Sequence, residues 1–91
     1  MPELLLTRRA RRDLEAFPPS IREAIVETLT LIEAKPDTAG KQLRGRLRGL
    51  WSSRVGNYRV LYTIEGTKTK QRVIVRAIRH RAAAYRRRRR R

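Results

Sequence analysis

Six residues of this chain have types and spacings that could serve a single anionic ligand. Arg54 and Arg59 flank the dipeptide Gly56-Asn57, and Arg79, His80, Arg81 and Tyr85 follow the last apolar stretch. Guanidinium groups grip phosphate oxygens in pairs and keep their proton at every physiological pH. They therefore stabilise negative charge and make poor bases. His80 is the sole histidine, and so the sole side chain of a type that titrates near neutrality. Tyr85 offers a ring face and a phenol. The chemistry these groups suit is the binding of an anion, with proton transfer left to very few candidates.

The charge of the whole chain points the same way. Of 91 residues, 24 are Lys or Arg and 8 are Asp or Glu, for a formal net charge of +16. Residues 1–37 hold seven acids and six bases, whereas residues 38–91 hold one acid, Glu65, and 18 bases. An excess of this size calls for a polyanion or an acidic protein as partner. Lys41, Arg44, Arg46 and Arg48, among Gly40, Gly45 and Gly49, read as charge that positions phosphates. Such contacts are salt-sensitive and blind to sequence. Arg81 and the run Arg86–Arg91 add to them. Cysteine is absent, which excludes disulfides and thiolate metal sites. One His and scattered acids leave little for a metal centre, so no metal or cofactor is expected. No apolar run approaches the roughly 18 residues of a membrane span. Leu4-Leu5-Leu6 is too short for a signal-peptide core, and a reducing cytoplasm is the expected compartment.

The elements that must position these residues follow from periodicity. Residues 2–6 read as a strand. Thr7 suits an N-cap, after which Ala10, Leu14 and Phe17 fall on one helical face and Arg8, Arg9, Arg11 and Arg12 on the other. Pro18-Pro19 ends that helix. Ser20 and Glu23 have the spacing of a capping box, followed by Ile21, Ile25, Thr28, Leu29 and Ile32 at helical intervals. Lys35-Pro36 closes the second helix near Ala34. Residues 37–49 read as irregular, with room for a short strand or turn. Residues 50–55, 58–65 and 71–79 read as strands, rich in Val, Ile, Tyr and Trp. Residues 80–85 are expected to leave the sheet. The fold class is α+β: an N-terminal strand, a two-helix hairpin, then a three-stranded antiparallel meander with the helices on one face. Residues 1–85 form one domain, and the low-complexity arginine run 86–91 is expected to be disordered when unbound.

A two-residue turn at Gly56-Asn57 fixes a register. Val55 then pairs with Tyr58, Arg54 with Arg59, Ser53 with Val60, Ser52 with Leu61 and Trp51 with Tyr62. Trp51, Val55, Tyr58, Val60, Tyr62 and Ile64 share an apolar side that should meet the helices, with Ser53 its only polar member. Ser52, Arg54, Arg59, Leu61 and Thr63 share the other side. Like charges directly opposite each other repel, by about 0.2–1 kcal/mol in a sheet. A phosphate bound between Arg54 and Arg59 turns that penalty into a clamp. The third meander strand runs back toward the turn, so Arg79 returns beside Tyr58-Arg59, and Arg54, Arg59, Arg79, His80 and Tyr85 converge on one hollow.

Leu43-Arg44-Gly45, Leu50-Trp51, the block from Arg54 to Tyr62, and Ile78-Arg79-His80-Arg81 with Tyr85 together resemble the RelE/ParE superfamily of toxins from type II toxin–antitoxin systems. The resemblance runs from about residue 3 to residue 86. It implies a compact microbial RNase-like fold without a metal, and an antitoxin partner that wraps the toxin, blocks its site and could carry operator-DNA binding. In the RelE branch it implies entry into the ribosomal A site and cleavage of the messenger there. The family's functional positions fall on Ser52, Arg54, Arg59, Arg79 and Tyr85. Ser52 and Arg54 stand where some members carry lysines, one of them thought to act as base.

RNA can be cleaved by its own 2′-hydroxyl. The reaction needs in-line geometry, removal of the hydroxyl proton, charge stabilisation on the phosphorane and protonation of the leaving 5′-oxygen. Arg54 and Arg59 suit the charge, Arg79 the leaving side, and Tyr85 a stacked base. His80 is the remaining candidate for a proton. Two other readings fit the composition: a ParE-like inhibitor of DNA gyrase, and a non-catalytic RNA- or ribosome-binding protein.

Overall fold

A computed structural model describes residues 2–82. Residues 83–91, with Tyr85 and the run Arg86–Arg91, lie outside the described residues. The order is β1 (Glu3–Leu6), α1 (Arg8–Glu15), α2 (Pro19–Ala34), a single-turn α3 (Pro36–Ala39), β2 (Lys41–Gln42), a 3₁₀ turn (Gly45–Leu47), β3 (Trp51–Val55), β4 (Tyr58–Gly66) and β5 (Gln71–His80). The five strands make one sheet in the order β1-β5-β4-β3-β2. β1 runs parallel to β5, and the remaining pairs are antiparallel.

Helices cover one face. Ala10 from α1 and Ile25, Leu29 and Ile32 from α2 are buried against Val60, Tyr62, Val73, Val75 and Ile78 of the sheet. Thr7 is the α1 N-cap, its hydroxyl accepting from the Ala10 amide at 3.1 Å. The same hydroxyl donates to the Arg76 carbonyl at 3.1 Å. β1 is shorter than β5, so beyond Val75 the edge of β5 has no strand beside it. Thr7 and Asp13 take its place: the Asp13 carboxylate accepts the Ile78 amide at 2.9 Å. The cap and side chains of α1 therefore satisfy polar backbone that would otherwise form an open edge.

Three expectations need correction. The capping box at Ser20 does not form. Pro18 is the N-cap and no side chain caps α2: Pro19, whose fixed φ suits N1, starts the helix ahead of Ser20, and Pro18 has no side-chain acceptor to offer. Residues 37–49 are less irregular than expected, since α3, β2 and the 3₁₀ turn occupy most of them. Their anchor is distant in sequence: the buried Tyr62 hydroxyl donates to the Pro36 carbonyl at 2.7 Å. Finally, His80 stays in β5, opposite Tyr58, and the chain turns helical only at Arg81. No described helix is long and apolar enough to cross a membrane.

Candidate active site

The β3–β4 pairing is the expected one, residue for residue, from Trp51↔Tyr62 to Val55↔Tyr58. It sets Arg54 opposite Arg59, and the β4–β5 pairing sets Arg59 opposite Arg79. Three arginines thus stand side by side on three adjacent strands. Strands lie about 4.8 Å apart, so the row is about 10 Å long at the backbone. It occupies the face away from the core, since Val60 and Ile78 next to it point inward.

A β-bulge decides that Arg79 belongs to this row. Leu61 pairs with Ala77 and Tyr62 with Val75, leaving Arg76 without a partner across the strands. Under strict alternation an inward Val75 would put Ala77 and Arg79 inward as well. The extra residue shifts the phase, so Ile78 is buried and Arg79 faces outward. Arg76 itself is held on the outer face, where its Nε and Nη2 donate to the Thr63 hydroxyl at 3.2 and 3.1 Å and Nη2 pairs with Glu65 at 3.4 Å.

Arg54 and Arg59 line an open cleft of about 610 Å³ with Lys41, Ser52, Gly40 and Leu43. Lys41 reaches it because β2 pairs Lys41 with Ser52, a residue on the arginine side of β3. Arg79 is in the row but does not line this cleft. Arg44 and Arg48 line a separate, smaller hollow with Gln42 and Gly45, and Arg46 is exposed in the 3₁₀ turn outside both. Arg81 is exposed at the end of β5, its amide bound to the Asn57 carbonyl at 2.8 Å.

His80 is not with the arginines. Its partner Tyr58 puts it on the opposite face, where its ring meets Tyr58 edge-on at 5.1 Å, and Tyr58 in turn meets Phe17 at 4.9 Å. The structure therefore sets Arg54, Arg59 and Arg79 in one row, of which Arg54 and Arg59 line the cleft and Arg79 does not, and it separates His80 from them; Tyr85 lies outside the described residues. Among the described residues, no three His, Cys, Asp or Glu side chains gather closely enough to hold a metal ion.

Residues 4–85 match the family model for the ParE toxin of the type II toxin–antitoxin system parDE. The chain belongs to the RelE/ParE family of type II toxins. Among curated relatives it is 43% identical over 82 residues to Toxin RelG of Mycobacterium tuberculosis, covering 89% of this chain and 92% of RelG. The structure of the RelBE2 toxin–antitoxin complex from the same organism superposes with a TM-score of 0.77 at 37% identity, over 89% of this chain and 100% of that one. The Escherichia coli RelBE complex superposes with a TM-score of 0.70 at 22% identity, over 88% and 96%, a likeness of fold.

Within this RelE/ParE toxin several positioning residues carry no obvious sequence signal. Gly40 lets the chain pass tightly over β3. A Cβ there would collide with the Tyr62 hydroxyl and lie 2.9 Å from the Ser52 carbonyl oxygen. Burial, and secondarily the Asp37 carboxylate, pushes the Tyr62 phenol up to about 12, so it stays a donor to Pro36 at any physiological pH. Ser53, the polar member of the inward face, is buried and donates to the Ala39 carbonyl at 3.0 Å. Two faint signals were available: the spacing Val73, Val75, Ile78, which breaks period two, and Asp13, an acid close to the apolar side of α1.

Proposed function

We propose that this toxin is a ribosome-dependent mRNA endoribonuclease that stops translation by cutting the message in the A site through the RNA's own 2′-hydroxyl. The observation that carries the reading is the arginine row, three guanidinium-bearing positions in register on three strands, on the face away from the buried core. Arg54 and Arg59 hold the non-bridging oxygens of the scissile phosphate and stabilise the phosphorane. Arg79, at the far end, stabilises charge on the leaving 5′-oxygen. Tyr85 serves as a stacking surface for a neighbouring base. Lys41 beside the row, and Arg44, Arg46, Arg48 and Arg81 around it, position the flanking phosphates. The names of the curated relatives, RelG and RelE, support the RelE-like branch.

The row supplies charge but no base, because guanidinium has no lone pair to offer. Orientation must then carry much of the rate, and a well-oriented attack reaches effective molarities of about 10⁵–10⁸ M. The ribosomal A site is the device that orients the message, so the toxin works in the cytoplasm, on translating ribosomes, and cuts free RNA poorly.

Its restraining partner is an acidic antitoxin. The arginine cleft runs into a groove between α2, α3 and β3 lined by Leu31, Ala34 and Ala39, with Arg54 bordering both. A segment mixing acidic and apolar residues fits this pair of hollows. The M. tuberculosis and E. coli structures are toxin–antitoxin complexes, which supports such a partner. Any operator-DNA contact belongs to the antitoxin.

The test is in-vitro translation with the purified chain, followed by mapping of message 5′ ends. Cuts between the second and third nucleotides of the A-site codon are expected. Efficient cutting of free RNA at physiological salt would refute the dependence on the ribosome. A second reading, inhibition of DNA gyrase, is favoured by the ParE description of the matching family model. It predicts DNA-damage signalling with intact messages, and translation arrest with intact messages would instead mark a non-catalytic binder.

A further inference from the structure

His80 is the one proton-transfer candidate in the sequence, and its ring is already occupied. Its Nδ1 accepts the backbone N–H of Ala82 at 3.0 Å. That bond uses the Nδ1 lone pair, so in the neutral ring the proton sits on Nε2 and no second lone pair remains. To take a proton from a substrate hydroxyl, the ring would have to give up Ala82. It also faces the side of the sheet opposite the arginine row, stacked edge-on against Tyr58.

The same bond has a visible purpose. Arg81 is the first residue beyond β5, and its amide is bound to the Asn57 carbonyl in the β3–β4 turn at 2.8 Å. Ala82 is bound to His80. Two consecutive amides are thus tied to two fixed acceptors, one on the hairpin turn and one on the last strand residue. The pattern is that of a cap: a side-chain acceptor takes the amide two residues on, where the chain turns helical. Histidine serves because its ring, though exposed, also meets Tyr58 edge-on, and Phe17 backs Tyr58 from the joint between α1 and α2.

We propose that His80 is a positioning residue, whose neutral Nδ1 caps the Ala82 amide and so fixes the direction in which the chain leaves β5 beside the arginine row. The role rests on the nuclease reading for its effect on catalysis, but the bond itself does not. Removing the acceptor frees the Ala82 amide, and the exit from β5 is left with the Arg81–Asn57 bond as its single backbone tie of the two.

Two variants of the full chain separate the possible roles. His80→Asn keeps an acceptor at the Nδ1 position and loses the ring. His80→Phe keeps the ring against Tyr58 and loses the acceptor. Amide exchange measured by NMR should be roughly two- to tenfold faster at Ala82 in His80→Phe and near the parent rate in His80→Asn, the range expected for one net hydrogen bond. Cleavage of message on programmed ribosomes should follow the same order, with His80→Asn close to the parent and His80→Phe clearly slower. Equal loss of cleavage in both variants, with Ala82 still protected in His80→Asn, would make His80 an acid or base and overturn the proposal. Full activity in His80→Phe would reduce it to packing and overturn it too. If the parent chain cuts no message at all, the nuclease reading fails, and the exchange rates still decide whether His80 is the cap.

Discussion

Substituting Gly40 by alanine asks how the segment carrying Lys41 is held against the sheet. Gly40 has extended backbone, φ −140 and ψ −175, which alanine adopts freely, so the effect is one of space. The new methyl would strike the Tyr62 hydroxyl and sit 2.9 Å from the Ser52 carbonyl oxygen. Overpacking of this kind costs about 1–3 kcal/mol. The lost freedom of the unfolded chain returns about 0.4–1 kcal/mol. Gly40→Ala should therefore destabilise by about 1–2 kcal/mol, or about 4–16 °C in Tm for a domain this small. Tyr62→Phe removes one of the two obstacles and also leaves the Pro36 carbonyl without its donor, at about 1–3 kcal/mol. Because each change relieves part of what the other disturbs, the double variant should be more stable than the sum of the singles by about 1 kcal/mol. Urea unfolding followed by far-UV circular dichroism and by Trp51 fluorescence measures all four corners of the cycle. Additivity within about 0.3 kcal/mol would show that the hydroxyl is not what excludes a side chain at residue 40.

Arg59→Ala should abolish growth arrest while leaving the melting temperature within a few degrees; normal arrest by the folded variant would remove Arg59 from the mechanism. Asp13→Ala strands the Ile78 amide and should destabilise by about 1–3 kcal/mol, an effect that Asp13→Asn, which keeps an acceptor, should largely spare in chemical denaturation. The folded Tyr62 phenol, pushed up to about 12 from an ordinary 10, binds its proton more tightly than in the unfolded chain. Its contribution is complete below pH 10 and is lost between about 10 and 12, at about 1.4 kcal/mol per pH unit, so stability measured across that window should fall more steeply for the parent than for Tyr62→Phe. Arg54→Ala should weaken RNA association and reduce its salt dependence by about one counterion, read from binding isotherms at several salt concentrations.

What the sequence discloses depends on how local the cause is. Gly56-Asn57 forces a two-residue turn, and from it the β3–β4 register and the opposition of Arg54 to Arg59 follow without further information. Thr7 likewise marks the start of α1 by its own hydroxyl. The start of α2 is misjudged because Pro19 competes with Ser20 over the same turn and wins by backbone geometry. α3 and β2 are hidden because each is too short to show a period and both depend on Tyr62, 26 residues beyond Pro36. His80 is a different case. Its face follows from the parity that sets Arg79 opposite Arg59, so nearness in sequence to an arginine says nothing about nearness in space. The adjacency of Arg79 to Arg59 is legible in the order of the strands, but the unpaired residue that turns Arg79 to the same face is not, nor is its place outside the cleft.

That unpaired residue, Arg76, adds one to the count of β5 without adding to its pairing. Deleting it would join Val75 to Ala77 in even alternation and leave Ile78 inward and Arg79 outward. Flattening the bulge with the residue kept would instead exchange the faces of everything downstream: Arg79 would be driven under the helices, and His80 would surface among the cations. The Thr63 hydroxyl and Glu65 carboxylate that hold the Arg76 guanidinium outside therefore guard which side of the sheet Arg79 shows.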